Sequence, residues 1–143
     1  MVKVVASILV LLSLSFTFGC SSSTTQATTN PGITTTAPAS SGSFSQLAEL
    51  GSHVYSNSCA RCHGANGQGG VGPTIVGNPN THLAYPTAAV LLSKISTTMP
   101  QDKPGTLSQT EYYQVLSYLL VQNQWVNAAD IFNSGNLAQI ILR

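Results

Sequence analysis

The stretch that decides the fold is residues 59–63, which read Cys59-Ala60-Arg61-Cys62-His63. Two cysteines separated by two residues and followed at once by a histidine form the C-x-x-C-H pattern through which c-type haem is attached. The spacing has a mechanical reason. Two thiols at this separation, at the end of a helix, reach the two vinyl groups of one porphyrin, and the next residue brings an imidazole to the iron. The pattern therefore predicts one covalently bound haem c, held by Cys59, Cys62 and His63.

Two other chemistries also use closely spaced cysteines. A thioredoxin-like redox pair shares the C-x-x-C spacing, but it follows a strand in a βαβ unit, whereas here a helix is predicted before the motif and a glycine-rich loop after it. A structural zinc site needs four Cys or His ligands in two clusters, and the other histidines of the chain are His53 and His82. Both alternatives fit the sequence less well than haem attachment does.

Three segments around the motif have the pattern of amphipathic helices. Two of them begin with capping boxes, at 43–46 and 108–111, and are predicted over 44–58 and 109–122. The remaining helix is predicted with Pro86 in its first turn and with an apolar face formed by Ala88, Leu91, Leu92 and Ile95. Loops rich in glycine and proline separate these segments, and no alternating strand pattern occurs. We predict a small all-α domain of three main helices with long loops wrapped around one haem.

The second axial ligand of the iron is predicted to be Met99. Once an export signal is removed, Met99 is the only methionine, and it lies in a proline-containing loop between two predicted helices and not on a core face. His82 is the alternative, which would give a bis-histidine haem of lower potential. His53 is expected to cap, pack on or lie on the surface of the first helix. With His63 and Met99 on the iron, no position stays open for a small-molecule substrate, so one-electron transfer is the accessible chemistry.

Residues 67–72 match G-x-G-x-x-G, a dinucleotide-binding pattern, but the context is wrong. No strand precedes the match, and Pro73 follows it where a helix should begin. We expect these glycines to let the backbone pass close to the haem edge instead.

The two ends of the chain have their own patterns. Residues 1–19 have the charge and the apolar run of a signal peptide, and Thr17-Phe18-Gly19-Cys20 is similar to a lipobox, which would make Cys20 the lipidated N-terminus. An ordinary signal peptide or an uncleaved anchor is the alternative. Residues 20–43 are rich in Ser and Thr and uncharged, which predicts a flexible tether. The apolar extension 123–143 is expected to pack on the domain and complete its core, with an exposed docking segment as the alternative.

The composition limits the partners. Charged residues make up 6% of the chain, far below the roughly 25% usual for soluble domains. Five Lys and Arg stand against four Asp and Glu, which excludes a basic nucleic-acid footprint or a polybasic membrane patch. A tether near the membrane and mostly apolar docking fit this composition better than long-range electrostatic steering.

Over about residues 44–122 the chain resembles a class I c-type cytochrome of the small, bacterial, mono-haem kind. The resemblance rests on Tyr55, residues 59–64, the glycine-rich run that ends at Gly72-Pro73, the sequence Thr98-Met99-Pro100, and Tyr118-Leu119 in the last helix. It implies that Cys59 and Cys62 form thioethers, that His63 is the proximal ligand and that Met99 is the distal one. It further implies that the Pro73 carbonyl accepts a hydrogen bond from the His63 imidazole.

The resemblance also implies an exported electron carrier, not an enzyme, that works between redox partners at the membrane or in the periplasm. A lipid anchor at Cys20 would hold it on the periplasmic or cell-surface side. Two alternatives remain: a fixed electron-transfer subunit of a larger membrane redox complex, and a gas-sensing or peroxidase-like haem protein with a labile distal ligand.

Overall fold

The computed structural model of the chain describes residues 41–143. In that range five α-helices follow one another: α1 Phe44–Ser58, α2 Ala60–His63, α3 Thr81–Ala84, α4 Ala88–Thr98 and α5 Gln109–Gln122, with a 3-10 turn at Ser134–Asn136. No strand is present among these residues, only two isolated β-bridges. The predicted all-α class is therefore confirmed. The predicted signal peptide, Cys20 and most of the tether lie outside the described residues.

The two capping boxes set the starts of α1 and α5. The Ser43 hydroxyl accepts from the Gln46 amide at 3.3 Å, and the Gln46 side-chain oxygen accepts from the Ser43 amide at 2.9 Å. Ser108 and Glu111 repeat this exchange at 3.3 and 2.8 Å. Each exchange satisfies backbone donors that a helix N-terminus leaves without partners. The helices predicted over 44–58 and 109–122 are confirmed at both ends.

The start of α4 differs from the prediction. Thr87 is the N-cap, and its hydroxyl accepts from the Val90 amide at 3.4 Å, so Pro86 precedes the helix and does not lie in its first turn. Thr87 is the N-cap because its side chain supplies a hydrogen-bond acceptor to the first turn of α4, which a proline side chain cannot do. The single-turn helices α2 and α3 were not predicted, because four residues are too few to show a helical period.

The long helices α1 and α5 pack directly on each other. At their crossing, a Cβ at Gly51 would collide with the backbone oxygen of Gln114, so glycine is needed for this close approach. This interface buries Leu47, Leu116 and Leu120.

The core has two parts. The larger one joins α1, α4 and α5 to the segment 123–143 and consists of Phe44, Leu47, Ala88, Leu91, Leu116, Leu120, Phe132, Leu137 and Leu142. The smaller one consists of Tyr55, Val115 and Leu119. The segment 123–143 is also tied down through its backbone, since the amides of Ala88 and Leu142 donate to the Ile140 and Pro86 carbonyls at 3.0 Å each. None of the helices among the described residues is long and apolar enough to cross a bilayer.

Candidate haem site

A cavity of about 450 Å³ lies beside the smaller core cluster. Its walls are largely apolar, and they include Tyr55, Ile75, Leu91, Ile95, Val115, Leu119 and Trp125. The volume lies within the range of roughly 300–1,000 Å³ that is usual for ligand and cofactor pockets. The domain is thus built around a mostly apolar space that a large flat cofactor can fill.

The C-x-x-C-H motif forms one wall of this cavity. Cys59 ends α1, and its carbonyl accepts from the amides of Cys62 and His63 at 3.1 and 3.0 Å. This single turn of helix places Cys59, Cys62 and His63 on the cavity wall together. Both cysteines are free thiols, so neither is used in a disulfide.

The imidazole of His63 is buried and held by one hydrogen bond. Its Nδ1 lies 2.8 Å from the carbonyl oxygen of Pro73. Because a carbonyl oxygen only accepts, Nδ1 must carry a proton, and in the neutral imidazole Nε2 then keeps its lone pair. A histidine with this tautomer is prepared to bind a metal through Nε2.

The glycine-rich run packs against His63. It does not open a helix, as a dinucleotide-binding run would. The Gly72 amide donates to the Cys62 carbonyl at 2.8 Å. A Cβ at Gly72 would lie 3.0 Å from the Cε1 atom of His63 and 3.1 Å from Nδ1. Glycine therefore lets the loop lie flat on the imidazole, which is how the Pro73 carbonyl reaches Nδ1.

Two further side chains, those of Asn123 and Tyr55, hold the loop that contains Pro73. Their hydrogen bonds were not predicted from the sequence. The Asn123 amide, just after α5, accepts from the Gly77 N–H at 2.9 Å and donates to the Ile75 carbonyl at 3.1 Å. The Tyr55 hydroxyl donates to the Gly64 carbonyl at 2.7 Å. Asn123 lies 48 residues from Ile75 in the chain, and no local pattern could have paired them.

Met99 reaches the same cavity from another part of the fold. Met99 is the C-cap of α4, and its amide donates a hydrogen bond to the Ile95 carbonyl at 3.1 Å. The Met99 carbonyl in turn accepts a hydrogen bond from the buried Tyr112 hydroxyl at 3.0 Å. The structure thus brings Met99 to the cavity that His63 also lines. His82, the alternative ligand, does not line this cavity, and neither does His53.

The rival chemistries of the two cysteines find no support in the geometry. Burial, and secondarily the neighbouring Cys62, raises the pKa of the Cys59 thiol to about 11, whereas a reactive redox thiol needs a lowered pKa. A helix, α1, precedes the pair where a thioredoxin would have a strand. Within residues 41–143 no group of three or more His, Cys, Asp or Glu side chains could hold a metal ion, whereas a structural zinc site needs four such ligands.

The helical fold, the C-x-x-C-H turn and the cavity beside it define a class I c-type cytochrome. A family model described as cytochrome c oxidase, cbb3-type, subunit III matches residues 46–119, and the chain belongs to this family. Membership implies haem c as the cofactor and electron transfer as the function. The predicted membership of the class I c-type cytochromes is therefore confirmed.

The fold is also similar to a solved structure, that of the sulfane dehydrogenase SoxCD from Paracoccus pantotrophus. The TM-score is 0.58 at 23% identity, over 71% of this chain and 54% of that chain. The chain thus spans about half the length of the SoxCD chain it matches, and at this identity the likeness concerns the fold. A comparison with curated proteins finds no match.

Proposed function

We propose that this protein is a mono-haem c-type cytochrome that carries single electrons, with thioethers at Cys59 and Cys62, His63 as proximal ligand and Met99 as distal ligand. The observation that carries the proposal is that one cavity is lined by both cysteines, by a histidine with Nδ1 held by Pro73, and by Met99. The donor set, one imidazole nitrogen and one thioether sulfur, is that of the electron-transfer cytochromes c. When bound, haem c supplies reversible exchange between ferrous and ferric iron.

His63 is prepared for its role before any metal binds. The Pro73 carbonyl holds the proton on Nδ1, orients the ring and makes Nε2 a more basic donor. Asn123 fixes the loop behind Pro73 and so maintains this hydrogen bond. Together these contacts keep the proximal ligand in one orientation in both oxidation states, which limits the reorganisation that accompanies electron transfer.

Met99 completes the ligand set and excludes other chemistry. Its backbone is held at the amide by α4 and at the carbonyl by Tyr112. A Met/His pair raises the reduction potential, and the apolar walls of the cavity act in the same direction by disfavouring the more highly charged ferric form. If His63 and Met99 both held the iron, no position would remain for oxygen or peroxide, which favours a carrier over an enzyme.

The partners are proposed to be redox proteins at a membrane. C-type cytochromes are generally exported, and lipidation of Cys20 with a tether over 20–43 would keep the domain close to membrane partners. The described residues contain four Lys or Arg and four Asp or Glu, so long-range electrostatic steering is weak. The tether then raises the rate of encounter with partners by keeping the domain close to them, without attraction between charges. Docking should therefore depend little on salt concentration.

A fixed subunit of a larger redox complex is the second candidate. The description of the matching family model favours it, since that model is named as a subunit of an oxidase. Native-size analysis of detergent-extracted protein separates the two candidates. A free carrier migrates as the single chain, whereas a fixed subunit migrates with its partners and separates from them only on denaturation.

The ligand assignment is tested with Met99→Ala, using His82→Ala as the matched control. We expect Met99→Ala to lose the ferric absorption band of methionine-ligated haem. Its reduction potential should fall by on the order of 0.1 V, a fraction of the roughly 0.8 V that axial ligands span. The His82→Ala variant should keep the native band and potential.

An unchanged spectrum and potential in Met99→Ala would contradict the assignment, and a change confined to His82→Ala would transfer the ligand role to that residue. Rapid carbon monoxide binding by the native ferrous protein at neutral pH would instead favour the sensor or peroxidase-like alternative.

A further inference from the structure

An ion pair connects the haem-attachment turn to the loop that follows Met99. The Arg61 Nη2 atom lies 2.8 Å from the Asp102 Oδ2 atom, although the two residues are 41 positions apart. Arg61 lies between the two cysteines, and Asp102 lies three positions after Met99. Both residues line the cavity. Among residues 41–143 this is the one ion pair, so a domain with few charges places two of them across this cavity.

We infer that Arg61 and Asp102 are positioning residues that hold the loop after Met99 against α2 and thereby slow the departure of Met99 from the iron. The inference rests on the proposed function, in which Met99 is the distal ligand. It adds the residues that set how firmly this ligand is kept.

The loop that follows Met99 has few attachments to the rest of the domain. Residues 100–106, here called the distal loop, are exposed except for the buried Pro100. Their other hydrogen bonds are internal, from the Lys103 amide to Pro100 and from the Thr106 hydroxyl to Lys103. In the part of the chain that the structure describes, the Arg61–Asp102 bond is the one side-chain hydrogen bond that ties the distal loop to the rest of the domain.

The Tyr112–Met99 hydrogen bond and the Arg61–Asp102 ion pair hold different parts of the chain around Met99. Tyr112 holds the Met99 backbone from inside the domain. The sulfur can leave the iron either by a rotamer change of the Met99 side chain or by outward movement of the distal loop. The ion pair opposes the second route, because that movement separates Asp102 from α2.

The size of the effect follows from exposure. The Arg61 and Asp102 side chains are 75% and 49% exposed, so the pair is a surface salt bridge. Such pairs shift an equilibrium by a factor of about 1.4 to 5 at ordinary salt, and added salt screens them. The expected effect on ligand departure is of this order and disappears at high ionic strength.

The test measures how fast imidazole displaces Met99 in the ferric haem-loaded protein, followed by loss of the methionine–iron band in stopped flow at low and high salt. Arg61→Gln, Asp102→Asn and the double variant remove the pair. Lys103→Gln is the matched control, because it removes one exposed charge beside Asp102 and leaves the pair intact. Arg61→Lys keeps the charge and should restore most of the native behaviour.

We expect both single variants and the double variant to accelerate displacement at low salt by the same factor, about 1.4 to 5, and to lose the salt dependence of the native protein. Lys103→Gln should keep the native rate and salt dependence. Native rates in the single variants, or single effects that add in the double variant, would overturn the inference. A lowered free energy of unfolding with an unchanged displacement rate would also overturn it, since that is the behaviour of a merely structural pair.

The Met99→Ala variant shows whether only the inference about Arg61 and Asp102 fails or the proposed function fails as well. If Met99→Ala binds imidazole no faster than the native protein, Met99 is not the distal ligand, and the proposed function fails along with the inference. If Met99→Ala binds imidazole much faster while the ion-pair variants behave as the native protein does, only the inference fails.

Discussion

The carbonyl oxygen of Pro73 accepts a hydrogen bond from His63 Nδ1 at 2.8 Å, and this contact determines which ring nitrogen remains available to a metal. Gly72 makes the contact possible, because any side chain there would press on the imidazole. At the scale of single residues, the site therefore depends on backbone atoms as much as on side chains. The proximal side of the cavity is organised by the polypeptide itself.

Tyr55 is the second residue whose environment has a measurable consequence. It is buried, it stacks on Tyr118 with ring centroids 4.9 Å apart, and it donates to the Gly64 carbonyl. Burial, and then the nearby Tyr118, raises the pKa of Tyr55 from 10.0 to about 12. The fold therefore favours the neutral phenol, and this contribution to stability is present below pH 10 and is lost as the pH rises toward 12.

We predict that Tyr55→Phe weakens the dependence of stability on pH between 10 and 12, because the titrating group is gone. At neutral pH the variant should lose about 0.5–1.5 kcal/mol, the usual net value of one hydrogen bond. Denaturant unfolding followed by circular dichroism across this pH range measures both effects.

Tyr118→Phe is the control for this prediction, since it leaves the Tyr55–Gly64 hydrogen bond in place and should keep most of the neutral-pH stability. A Tyr55→Phe protein whose stability falls as steeply as that of the native protein above pH 10 would show that this phenol is not the titrating group.

Among the secondary-structure elements, the helices that could be predicted are those whose ends are marked by a short sequence pattern. The helices α1 and α5 begin at capping boxes that can be read within four residues, and their bounds were predicted correctly. The start of α4 was misplaced at Pro86 because proline and threonine both favour helix starts, and only the Thr87–Val90 hydrogen bond decides between them. The turns α2 and α3 have no period to detect.

The same distinction applies to the site. The candidates Cys59, Cys62 and His63 belong to one contiguous motif, and Met99 stands out as a lone methionine in a loop. The contacts that position them could not be predicted, because Tyr112 and Met99 are 13 residues apart and Arg61 and Asp102 are 41 apart. Pairings of this kind depend on how the elements pack, and amino-acid spacing along the chain does not encode them.

The segment 123–143 behaves as an element although it contains only one 3-10 turn. Leu142 is 2% exposed and belongs to the larger core cluster, whereas the neighbouring Ile141 is 49% exposed. The Leu142 amide also donates to the Pro86 carbonyl at 3.0 Å. The end of the chain therefore covers α4 and α5 as a helix would.

We predict that Leu142→Ala lowers the free energy of unfolding by about 2–5 kcal/mol, the range for removing a buried leucine side chain. Ile141→Ala, one position away and half exposed, should cost less than about 1 kcal/mol. Urea unfolding curves of the two variants measure the difference. Equal, small effects of both substitutions would mean that the segment does not contribute to the core.

At the scale of the whole molecule, the shortage of charge has a structural meaning. Of the eight Lys, Arg, Asp and Glu among residues 41–143, Arg61 and Asp102 neutralise each other beside the cavity. Lys94 is the further Lys, Arg, Asp or Glu side chain of the cavity lining, and the exposed Lys103 follows Asp102 directly, so the surface around the cavity presents few charges to a partner. This is consistent with a domain that meets its redox partners through proximity and apolar contact, and not through steering from a distance.

Covalent attachment of one haem to Cys59 and Cys62 is tested by intact-protein mass spectrometry under denaturing conditions. Addition of a thiol across a vinyl group loses no atoms, so protein matured in cells that attach haem c should exceed its polypeptide mass by one whole haem. The Cys59→Ser/Cys62→Ser double variant should show the polypeptide mass alone. A native mass without haem, or with more than one haem, would show that Cys59 and Cys62 do not attach a single haem.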